Sequence, residues 1–384
     1  MKIIYIANGD VSVYDSQVLS LLDFYVEQKH EVHLIQGYAS SQEKEKLLNK
    51  IAAHHLEDYV VWFESAPVYP WFEKRKRERI YQALLSIPGY DKAVIHVRGS
   101  VESTLVKKII KRNKLNIPFL ADIRGLFESE FDYKIKRQKG LRKVMTMYQK
   151  KYIGKCWHYL FAADNLRWGV SSVSPLITDF INKVYGGNGH CFYFNPNIAG
   201  KSFVYDYNSR KEIREKYSLK EDDLVAVCST GGNSLWQKDY LTIDKLLSMG
   251  VKVINLSKMD YGKTGCITTS VPFKEMYKIL SAADVAVLWR DDTLMNNAAS
   301  PSKFSEFAVM GLYVLHNDSV AVASSYIKKS GAGLIIKDLD ELQQLPTLNS
   351  LTTNRKQWIT EGREFFGVEC VGKSYLGIYE NLLA

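Results

Sequence analysis

A short segment near residue 300 has the residue types and the spacing that binding of a phosphate and a ribose requires. Ser300, Pro301 and Ser302 precede a predicted helix that carries Lys303 and Glu306 in its first turns. Small residues before a helix leave backbone N–H groups open to an anion, and the helix dipole strengthens the attraction. Lys303 adds a point charge for phosphate. Glu306 lies on the same face three residues later, where a carboxylate can accept hydrogen bonds from two vicinal hydroxyls.

The pattern around this segment is more specific than the two charged residues alone. Lys303 and Glu306 are also compatible with an ordinary ion pair on the surface of a capped helix. The wider pattern resembles the nucleotide-sugar signature of family 4 glycosyltransferases of the GT-B fold, and it consists of Ser300-Pro301-x-Lys303-Phe304-x-Glu306-Phe307, Gly311 and Val314. The resemblance implies that Ser300, Ser302 and Lys303 meet the diphosphate of a nucleotide-sugar and that Glu306 holds its ribose.

Two segments upstream resemble the same family. Ser229-Thr230-Gly231-Gly232 follows a predicted strand and resembles the glycine-rich first loop of the family's C-terminal domain. The resemblance implies that Gly231 and Gly232 belong to the donor site. A second segment, which includes Pro272 and Phe273, resembles the part of the chain whose backbone reads the nucleotide base.

The sequence departs from the family pattern at two points. The family often has a second glutamate eight residues before the ribose-binding one, and this position is Ala298 here. Contacts to the transferred sugar are therefore expected from the backbone or from Asn296 and Asn297. Of the Arg and Lys pair that usually follows the glycine-rich loop, only Lys238 is evident, and Arg290 is the candidate to supply the missing guanidinium.

The first half of the chain carries polar residues at predicted strand ends. Asn8, Gly9 and Asp10 end the first strand, and Gly9 suits a close approach of the backbone to donor phosphates. Residues 95–100 and 121–125, with two glutamates beyond them, resemble a capsule or cell-surface polysaccharide branch of the same family. The resemblance implies that this half binds the sugar acceptor.

Four residues of this half are candidates for the catalytic site: Arg98, Asp122, Arg124 and Glu128. The resemblance implies a contact to the donor sugar from the end of the strand that carries His96 and Arg98, and Arg98 is favoured because it lies nearer the loop after the strand. Asp122 and Glu128 are candidates to orient an acceptor hydroxyl, and Arg124 shares the loop with Asp122. The alternatives are that Asp122 and Arg124 form a structural ion pair and that His96 is a buried core residue.

The elements that must position these residues are short apolar runs that alternate with segments of helical period. This alternation is typical of βα units and parallel sheets, and it pauses near residue 197. With the resemblance, it predicts an α/β protein of the GT-B fold with two Rossmann-like domains and an interdomain cleft. The predicted domains are residues 1–197 for the acceptor and 198–364 for the nucleotide-sugar, and a helix at about 365–384 returns to the first. Strands are predicted at 3–7, 32–35, 59–63, 93–97, 119–122, 168–171, 191–194, 224–229, 251–256, 285–289, 313–316 and 333–336.

Positive charge is concentrated in one segment. The chain has 51 Lys and Arg against 42 Asp and Glu, a net charge of +9, which favours an anionic partner. Residues 134–155 contain nine basic residues and no acidic one within a predicted helix over 134–162. Its apolar stripe predicts contact with an anionic membrane surface, and the alternative is packing of that stripe on the domain core. The stripe consists of Leu141, Met145, Tyr148 and Tyr152.

Several other classes of site are disfavoured. The five cysteines are scattered without a C-x-x-C motif, which fits a reducing cytoplasm. No metal is expected, because the D-x-D at 338–340 reads as a helix N-cap. Neither a G-x-G-x-x-G after the first strand nor a P-loop is present, and no nucleic-acid motif accompanies the basic charge. No apolar run reaches the roughly 18 residues of a membrane-spanning helix.

The expected function is retaining transfer of a sugar from a nucleotide-sugar donor to a lipid-linked or other oligosaccharide acceptor. The resemblance implies a UDP- or GDP-linked donor, no separate cofactor, and a role in bacterial surface polysaccharide synthesis. The expected location is cytoplasmic, with peripheral association at the membrane. Lys303, the helix N-terminus and Arg290 would stabilise the departing diphosphate electrostatically. The alternatives are a nucleotide-sugar epimerase of the GT-B fold and a non-catalytic nucleotide-binding scaffold.

Overall fold

The chain forms two compact units, each built on one parallel sheet. The computed structural model describes residues 1–9, 13–186, 191–229, 236–258 and 260–384. The first unit comprises Met1–Asn195 and Val371–Ala384, and the second comprises Pro196–Cys370. The sequence analysis places the corresponding boundaries after residue 197 and at about residue 365.

The first unit contains a sheet of seven strands, all parallel, in the order β3-β2-β1-β4-β5-β6-β7. All seven strands were predicted from their apolar runs. Both faces of a parallel sheet are covered, so its strands are continuous apolar runs, as in β1, where Ile3, Ile4 and Ile6 are completely buried. The strands are β1 (Lys2–Asn8), β2 (Glu31–Tyr38), β3 (Val60–Glu64), β4 (Val94–Arg98), β5 (Phe119–Ile123), β6 (Trp168–Ser172) and β7 (Cys191–Phe194).

Helices connect these strands. The helix that begins at Pro175 was predicted from Ser174-Pro175, and its C-cap is Gly186 at φ +80°. The helices are α1 (Ser20–Glu27), α2 (Ser41–Ala52), α3 (Glu73–Leu85), α4 (Ser100–Asn113), α5 (Phe127–Arg137), α6 (Gly140–Phe161) and α7 (Pro175–Tyr185), and a π-helical turn, Asp15–Leu19, precedes α1.

The single helix predicted over 134–162 is wrong. The chain forms α5 and α6, and it leaves helical geometry at Gln138 and Lys139, which are both extended. Gly140, at φ +57°, then begins α6. A positive φ is readily available to glycine, so the chain can change direction at this point without steric strain.

The second unit contains a sheet of six parallel strands in the order β10-β9-β8-β11-β12-β13. The sequence analysis missed β10, a partly exposed edge strand of four residues, because so short a run has no clear apolar period. The strands are β8 (Val225–Cys228), β9 (Lys252–Leu256), β10 (Cys266–Thr269), β11 (Val285–Leu288), β12 (Tyr313–His316) and β13 (Gly333–Ile335).

The helices of the second half follow the same alternation. They are α8 (Tyr207–Lys216), α9 (Ile243–Ser248), α10 (Met276–Ala282), α11 (Leu294–Asn297), α12 (Ser302–Val309), α13 (Ala321–Ser330), α14 (Leu348–Phe366) and α15 (Val368–Leu383). Asp338 caps a 3₁₀ turn by accepting a hydrogen bond from Asp340 N at 3.0 Å, so the D-x-D motif is the N-cap that the sequence analysis expected. No helix in the described part of the chain is both long and apolar enough to span a bilayer.

The C-terminal helix α15 supplies two buried tyrosines to the core of the first unit. The Tyr379 hydroxyl is hydrogen-bonded to the Tyr25 hydroxyl at 2.9 Å and to His96 Nδ1 at 2.5 Å. The Tyr375 hydroxyl donates to Asp122 Oδ1 at 3.4 Å. The end of the chain is therefore tied to β4 and β5 through buried polar contacts.

Candidate functional site

The strand order of the second sheet identifies the edge at which a ligand would bind. From β8 the chain moves to β9 and β10 on one side, and it then returns to β11 on the other side. In open α/β sheets, ligands bind beyond the carboxyl ends of the strands at such a reversal. Ser229 follows β8 and Arg290 follows β11, so both lie at this edge.

A short chain segment runs along the end of β11. Gln237 and Arg290 form an isolated antiparallel bridge, and Lys238 N donates to Trp289 O at 2.8 Å. Lys238 Nζ lies 4.0 Å from Asp291 Oδ1. Lys238, which the sequence analysis selected, is thereby brought next to Arg290.

Lys303 points from the first turn of α12 to the end of β8. Its ammonium group donates to the carbonyl oxygen of Ser229 and to Gln237 Oε1, the latter at 3.1 Å. Burial lowers the pKa of Lys303, and the negative charge of Asp239 partly opposes that shift. Gly231 and Gly232 of the predicted glycine-rich loop lie outside the described residues, directly after this strand end.

Glu306 is a buried carboxyl group one helical turn beyond Lys303. It is 6% exposed, and no hydrogen bond or ion pair joins its carboxyl group to another residue of the described chain. Burial raises the pKa of Glu306 to about 8, although the charge of Lys303 acts to lower it. The two residues therefore do not form the surface ion pair that was the alternative interpretation.

The backbone of Arg290 is anchored just beyond the end of β11. Its backbone N–H donates to Asn317 Oδ1 at 3.2 Å, and Asn317 Nδ2 donates to its carbonyl oxygen at 2.6 Å. The guanidinium group contacts Asn296 Oδ1 at 3.5 Å, and burial lowers the pKa of Arg290 to about 10, partly opposed by Asp239. A buried cation next to Lys303 gives this edge a positive potential.

Asp239 is a buried acid beneath these two cations. Its Oδ1 accepts a hydrogen bond from Trp289 N at 2.7 Å. Burial raises the pKa of Asp239 to about 6, and Lys303 and Arg290 act to lower it. Asp239 therefore braces the end of β11 and offsets part of the positive charge.

The residues that precede α12 hold its first turn in place. Ser300 Oγ accepts a hydrogen bond from Asn197 N at 3.0 Å, and Ser305 Oγ donates to Asn197 O at 2.5 Å. Ser302 is the first residue of the helix, and no side chain of the described residues caps it. Ser300 thus acts as a brace, while Ser302 and Lys303 form the helix start.

The two asparagines expected near the transferred sugar already have partners. Asn297 Nδ2 donates to Asp292 Oδ1 at 2.9 Å, and Asn296 Nδ2 donates to Asp291 O at 2.7 Å. Ala298, where a glutamate is common in the family, is completely buried. Asn296 Oδ1 faces the Arg290 guanidinium, so the side-chain oxygen of Asn297 is the better placed of the two to accept from a sugar.

Pro272 and Phe273 follow β10 at the outer end of the same edge. Pro272 is the N-cap of a 3₁₀ turn, Phe273–Glu275. The ring of Phe273 packs edge-on against Phe203, with 5.4 Å between the ring centroids. Since the ring is engaged in packing, the backbone is the part of this segment available to a base.

At the first sheet, β1 and β4 are neighbours at the corresponding reversal of strand order. Gly9 follows β1 with φ +68°, a conformation that favours glycine. Asn8 Nδ2 donates to Glu102 Oε1 at 2.9 Å, and the buried Lys76 donates to the same oxygen at 2.6 Å. The start of the Gly9 loop is therefore anchored to α4 through Glu102.

Asp122 is completely buried at the end of β5 and is surrounded by partners. Arg124 donates to both of its oxygens, at 3.3 and 3.1 Å, and His96 Nε2 lies 3.4 Å from Oδ2. The Tyr375 hydroxyl completes the set. Burial would raise the pKa of Asp122, but Arg124, His96 and Arg98 hold it below its usual range. The structural ion pair that the sequence analysis kept as an alternative is present.

His96 and Arg98 lie two residues apart on the same face of β4 and differ in depth. His96 is completely buried, and its ring stacks on Tyr5 with 4.3 Å between centroids. It is the core histidine that the sequence analysis described. Arg98 is half-buried at the strand end and is hydrogen-bonded to the Tyr5 hydroxyl.

Two glutamates follow at the start of α5. Glu128 is half-buried and hydrogen-bonded to the Tyr185 hydroxyl. The carboxyl group of Glu130 lies over Gly125, where a Cβ atom would clash with it. Burial raises the pKa of Glu130, opposed by Lys134. Both acids thus lie close to the loop that carries Arg124.

Comparison with solved structures agrees with this architecture. Similar structures include a glycosyltransferase from Rickettsia africae ESF-5 (TM-score 0.68, 11% identity, 100% of this chain and 98% of that chain) and Anabaena HepE in complex with UDP (TM-score 0.67, 11% identity, 99% and 100%). Sucrose-phosphate synthase from Thermosynechococcus elongatus is similar as well (TM-score 0.66, 12% identity, 99% and 98%). The chain has the GT-B fold. No protein-family model and no curated protein matches the sequence.

Within this GT-B fold, three residues of the candidate donor edge were missed by the sequence analysis. Asp239 contacts Trp289, Gln237 contacts Lys303, and Asn317 contacts Arg290. Each contact joins residues that are distant in the chain. Only the position of Gln237 and Asp239 on either side of Lys238 could have drawn attention to them. Asn317 carries the weaker signal of a polar residue directly after a strand.

Proposed function

We propose that this chain is a retaining glycosyltransferase, similar to family 4, that transfers a sugar from a nucleotide-sugar to an oligosaccharide acceptor. The observation that carries the proposal is the arrangement of Lys303, Arg290 and Glu306 at the strand-order reversal of the second sheet. HepE, of the same fold, has been solved with UDP and with UDP-glucose, which supports a nucleotide-sugar as the ligand.

The two cations would act on the diphosphate that leaves the sugar. Lys303 and Arg290 are held in place by Ser229, Gln237 and Asn317, so they need little reorganisation when negative charge develops. Partial burial strengthens the interaction, because the surrounding dielectric is low. Departure and attack would occur on one face of the sugar, and the two cations would do the electrostatic work without a metal or a separate cofactor.

Glu306 would hold the ribose of a UDP- or GDP-linked donor. Its carboxyl group has no partner within the described chain, so two ribose hydroxyls can donate to it. Those hydrogen bonds favour the ionised form and would lower its raised pKa. The base would lie at the Pro272 and Phe273 backbone, and the sugar near the side-chain oxygen of Asn297.

The acceptor would bind at the carboxyl edge of the first sheet. Arg98, Arg124 and Glu128 are only partly buried there and can reach a ligand. Asp122 is completely buried, so its role would be to position Arg124 and not to contact the acceptor. Gly9 would allow the backbone after β1 to approach the donor phosphates.

The proposal places the reaction at the cytoplasmic face of a bacterial membrane. A lipid-linked acceptor in surface polysaccharide synthesis would be presented there, and the basic segment 134–155 would face anionic lipid.

Incubation of the purified protein with a panel of UDP- and GDP-sugars, with and without lipid-linked acceptors, tests the proposal. Mass spectrometry would follow free nucleotide and glycosylated acceptor together. The expected result is nucleotide release that depends on acceptor, with one sugar added. Conversion of the donor sugar without acceptor would favour an epimerase, and donor binding without turnover would favour a scaffold. Either result contradicts the proposed transferase.

A further inference from the structure

The first turns of α6 present large apolar side chains to solvent. Leu141, Val144, Met147 and Tyr148 are all exposed, and Leu141 is 77% exposed. Leu141, Val144 and Tyr148 follow one another at steps of three and four, so they form one row along the helix. Buried apolar residues of α6 lie mainly toward its C-terminal end, which leaves this row free of the core.

The exposed row differs from the stripe predicted from sequence. Tyr152 is buried and donates a hydrogen bond to Glu73 Oε2 at 3.1 Å, and Met145 is half-buried. The C-terminal end of the predicted stripe is therefore buried in the core. Val144 and Met147, which were not part of that stripe, are exposed with Leu141 and Tyr148.

A tryptophan from a distant part of the chain extends this surface. Trp71 lies in the 3₁₀ turn Pro70–Phe72 and is 56% exposed. Its ring stacks on Tyr69 at 4.7 Å with an interplanar angle of 5°, and it lies 5.6 Å from the ring of Tyr148. We call Trp71, Leu141, Val144, Met147 and Tyr148 the α6 patch.

The α6 patch is a concentration of exposed apolar surface. It contains five of the fourteen large apolar side chains that are exposed in the described part of the chain. Scattered single apolar residues are normal on a protein surface, whereas a contiguous group indicates a binding surface.

Basic residues continue and flank the patch. Lys151 and Lys155 extend the exposed row by the same steps of three and four, and Arg142 and Lys143 lie beside it. None of these four forms an ion pair with a residue of the described chain, whereas Lys150 pairs with Asp132 at 2.6 Å. The patch therefore joins apolar side chains to uncompensated positive charge.

We infer that the α6 patch docks the protein on an anionic lipid bilayer. Apolar side chains of a basic helix enter the boundary between headgroups and acyl chains, while lysines remain at the phosphates. Tryptophan and tyrosine favour this boundary because their rings have an apolar body and a polar tip. The inference deepens the proposed function, since a lipid-linked acceptor would lie at that surface. Charge complementarity selects anionic lipid over a neutral apolar partner.

Sedimentation of the full chain with lipid vesicles tests the inference. We expect binding to phosphatidylcholine vesicles that contain phosphatidylglycerol and little binding to phosphatidylcholine alone. The double variant Leu141→Ser with Val144→Ser should lower the partition coefficient about tenfold, because it removes two inserting side chains. Leu48→Ser with Tyr207→Ser is the matched control, since both residues are exposed apolar residues outside the patch, and it should bind as the wild type does.

Charge-reversal variants provide a second test of vesicle binding. Lys143→Glu with Lys151→Glu should lower binding to anionic vesicles at least tenfold. Lys328→Glu with Lys329→Glu, on the exposed surface of α13, should not. Circular dichroism would verify that each variant is folded.

Three results would overturn the inference. These are equal binding to neutral and anionic vesicles, unchanged binding of both patch variants, and self-association in solution that the patch variants abolish, which would make a second copy the occupant. Vesicle binding needs no donor. Normal vesicle binding without sugar transfer would thus contradict the proposed function alone, and sugar transfer to a soluble acceptor without vesicle binding would contradict this inference alone.

Discussion

The carboxyl edges of the two sheets each carry a buried acid and nearby cations. At the first sheet the acid is paired with its neighbours, and at the second sheet, within the described residues, it is not. At the first sheet, Asp122 is enclosed by Arg124, His96 and Tyr375, and its pKa is held low. At the second sheet, Glu306 is also buried, but its carboxyl group has no hydrogen-bond or ion-pair partner within the described chain, and its pKa is raised. A buried charge with its own partners is built into the fold, because loss of one partner leaves the other uncompensated, whereas a buried group without partners is poised to meet a ligand.

The comparison predicts that the two buried acids respond in opposite ways when they are neutralised. Asp122→Asn should lower the free energy of unfolding by ~3 kcal/mol, because it removes the buried counter-charge of the half-buried Arg124. Denaturant titration would measure the change. The control is Asp244→Asn, which breaks an exposed pair with Lys263 at 2.7 Å and should cost under about 1 kcal/mol. Equal losses in the two variants would remove the distinction on which the comparison rests.

The second prediction concerns the cation at the donor edge. Lys303→Met keeps the length of the side chain and removes its charge, and it should lower donor turnover roughly 100-fold, as the loss of one preorganised electrostatic group typically does. The readout is kcat/KM for nucleotide release. Lys211→Met, at an exposed lysine of α8, is the matched control and should retain full activity. Unchanged turnover in Lys303→Met would place the diphosphate elsewhere.

The third prediction is a pH dependence of stability that comes from Glu306. Its pKa of about 8 in the folded chain lies above its usual value of 4.5, so between these two pH values the Glu306 carboxyl group is protonated in the folded chain and ionised in the unfolded chain. The contribution of Glu306 to the free energy of unfolding is fully present below the pKa of the unfolded chain. It is lost as the pH rises toward the pKa of the folded chain, at up to ~1.4 kcal/mol per pH unit.

Comparison of the wild type with Glu306→Gln isolates this dependence. The free energies of unfolding of the two proteins, measured from pH 4 to 8, should converge at the acid end. The variant should become the more stable of the two as pH rises. Parallel curves across this range would mean that the carboxyl group has a partner after all.

Local sequence patterns predicted most of the fold, and tertiary contacts account for what they missed. Buried strands such as β1 and β11 are continuous apolar runs between polar loops, so their positions were evident. The edge strand β10 is short and half-exposed, and the break between α5 and α6 depends on the geometry at Gly140. Neither has a periodic signal.

The candidate site shows the same difference between residues found by local pattern and residues placed by tertiary contacts. Lys303 and Glu306 lie in one local motif, and the motif was sufficient to select them. Asp239 braces Trp289, which lies 50 positions away in the chain, and Asn317 braces Arg290, which lies 27 positions away. The compensation of Asp122 depends on Tyr375, 253 residues away. Contacts at such separations are set by the fold and leave no mark in spacing.

Calorimetric titration of the wild type and of Glu306→Gln with UDP, GDP, CMP and TDP is the most direct test of the donor site. Gln has the size of Glu but cannot supply a carboxylate to two ribose hydroxyls. The account predicts that one nucleotide binds and that the variant binds it at least about tenfold more weakly, a loss of ~1.4 kcal/mol. Equal binding by the two proteins, or binding of no nucleotide, would contradict the assignment of the ribose to Glu306.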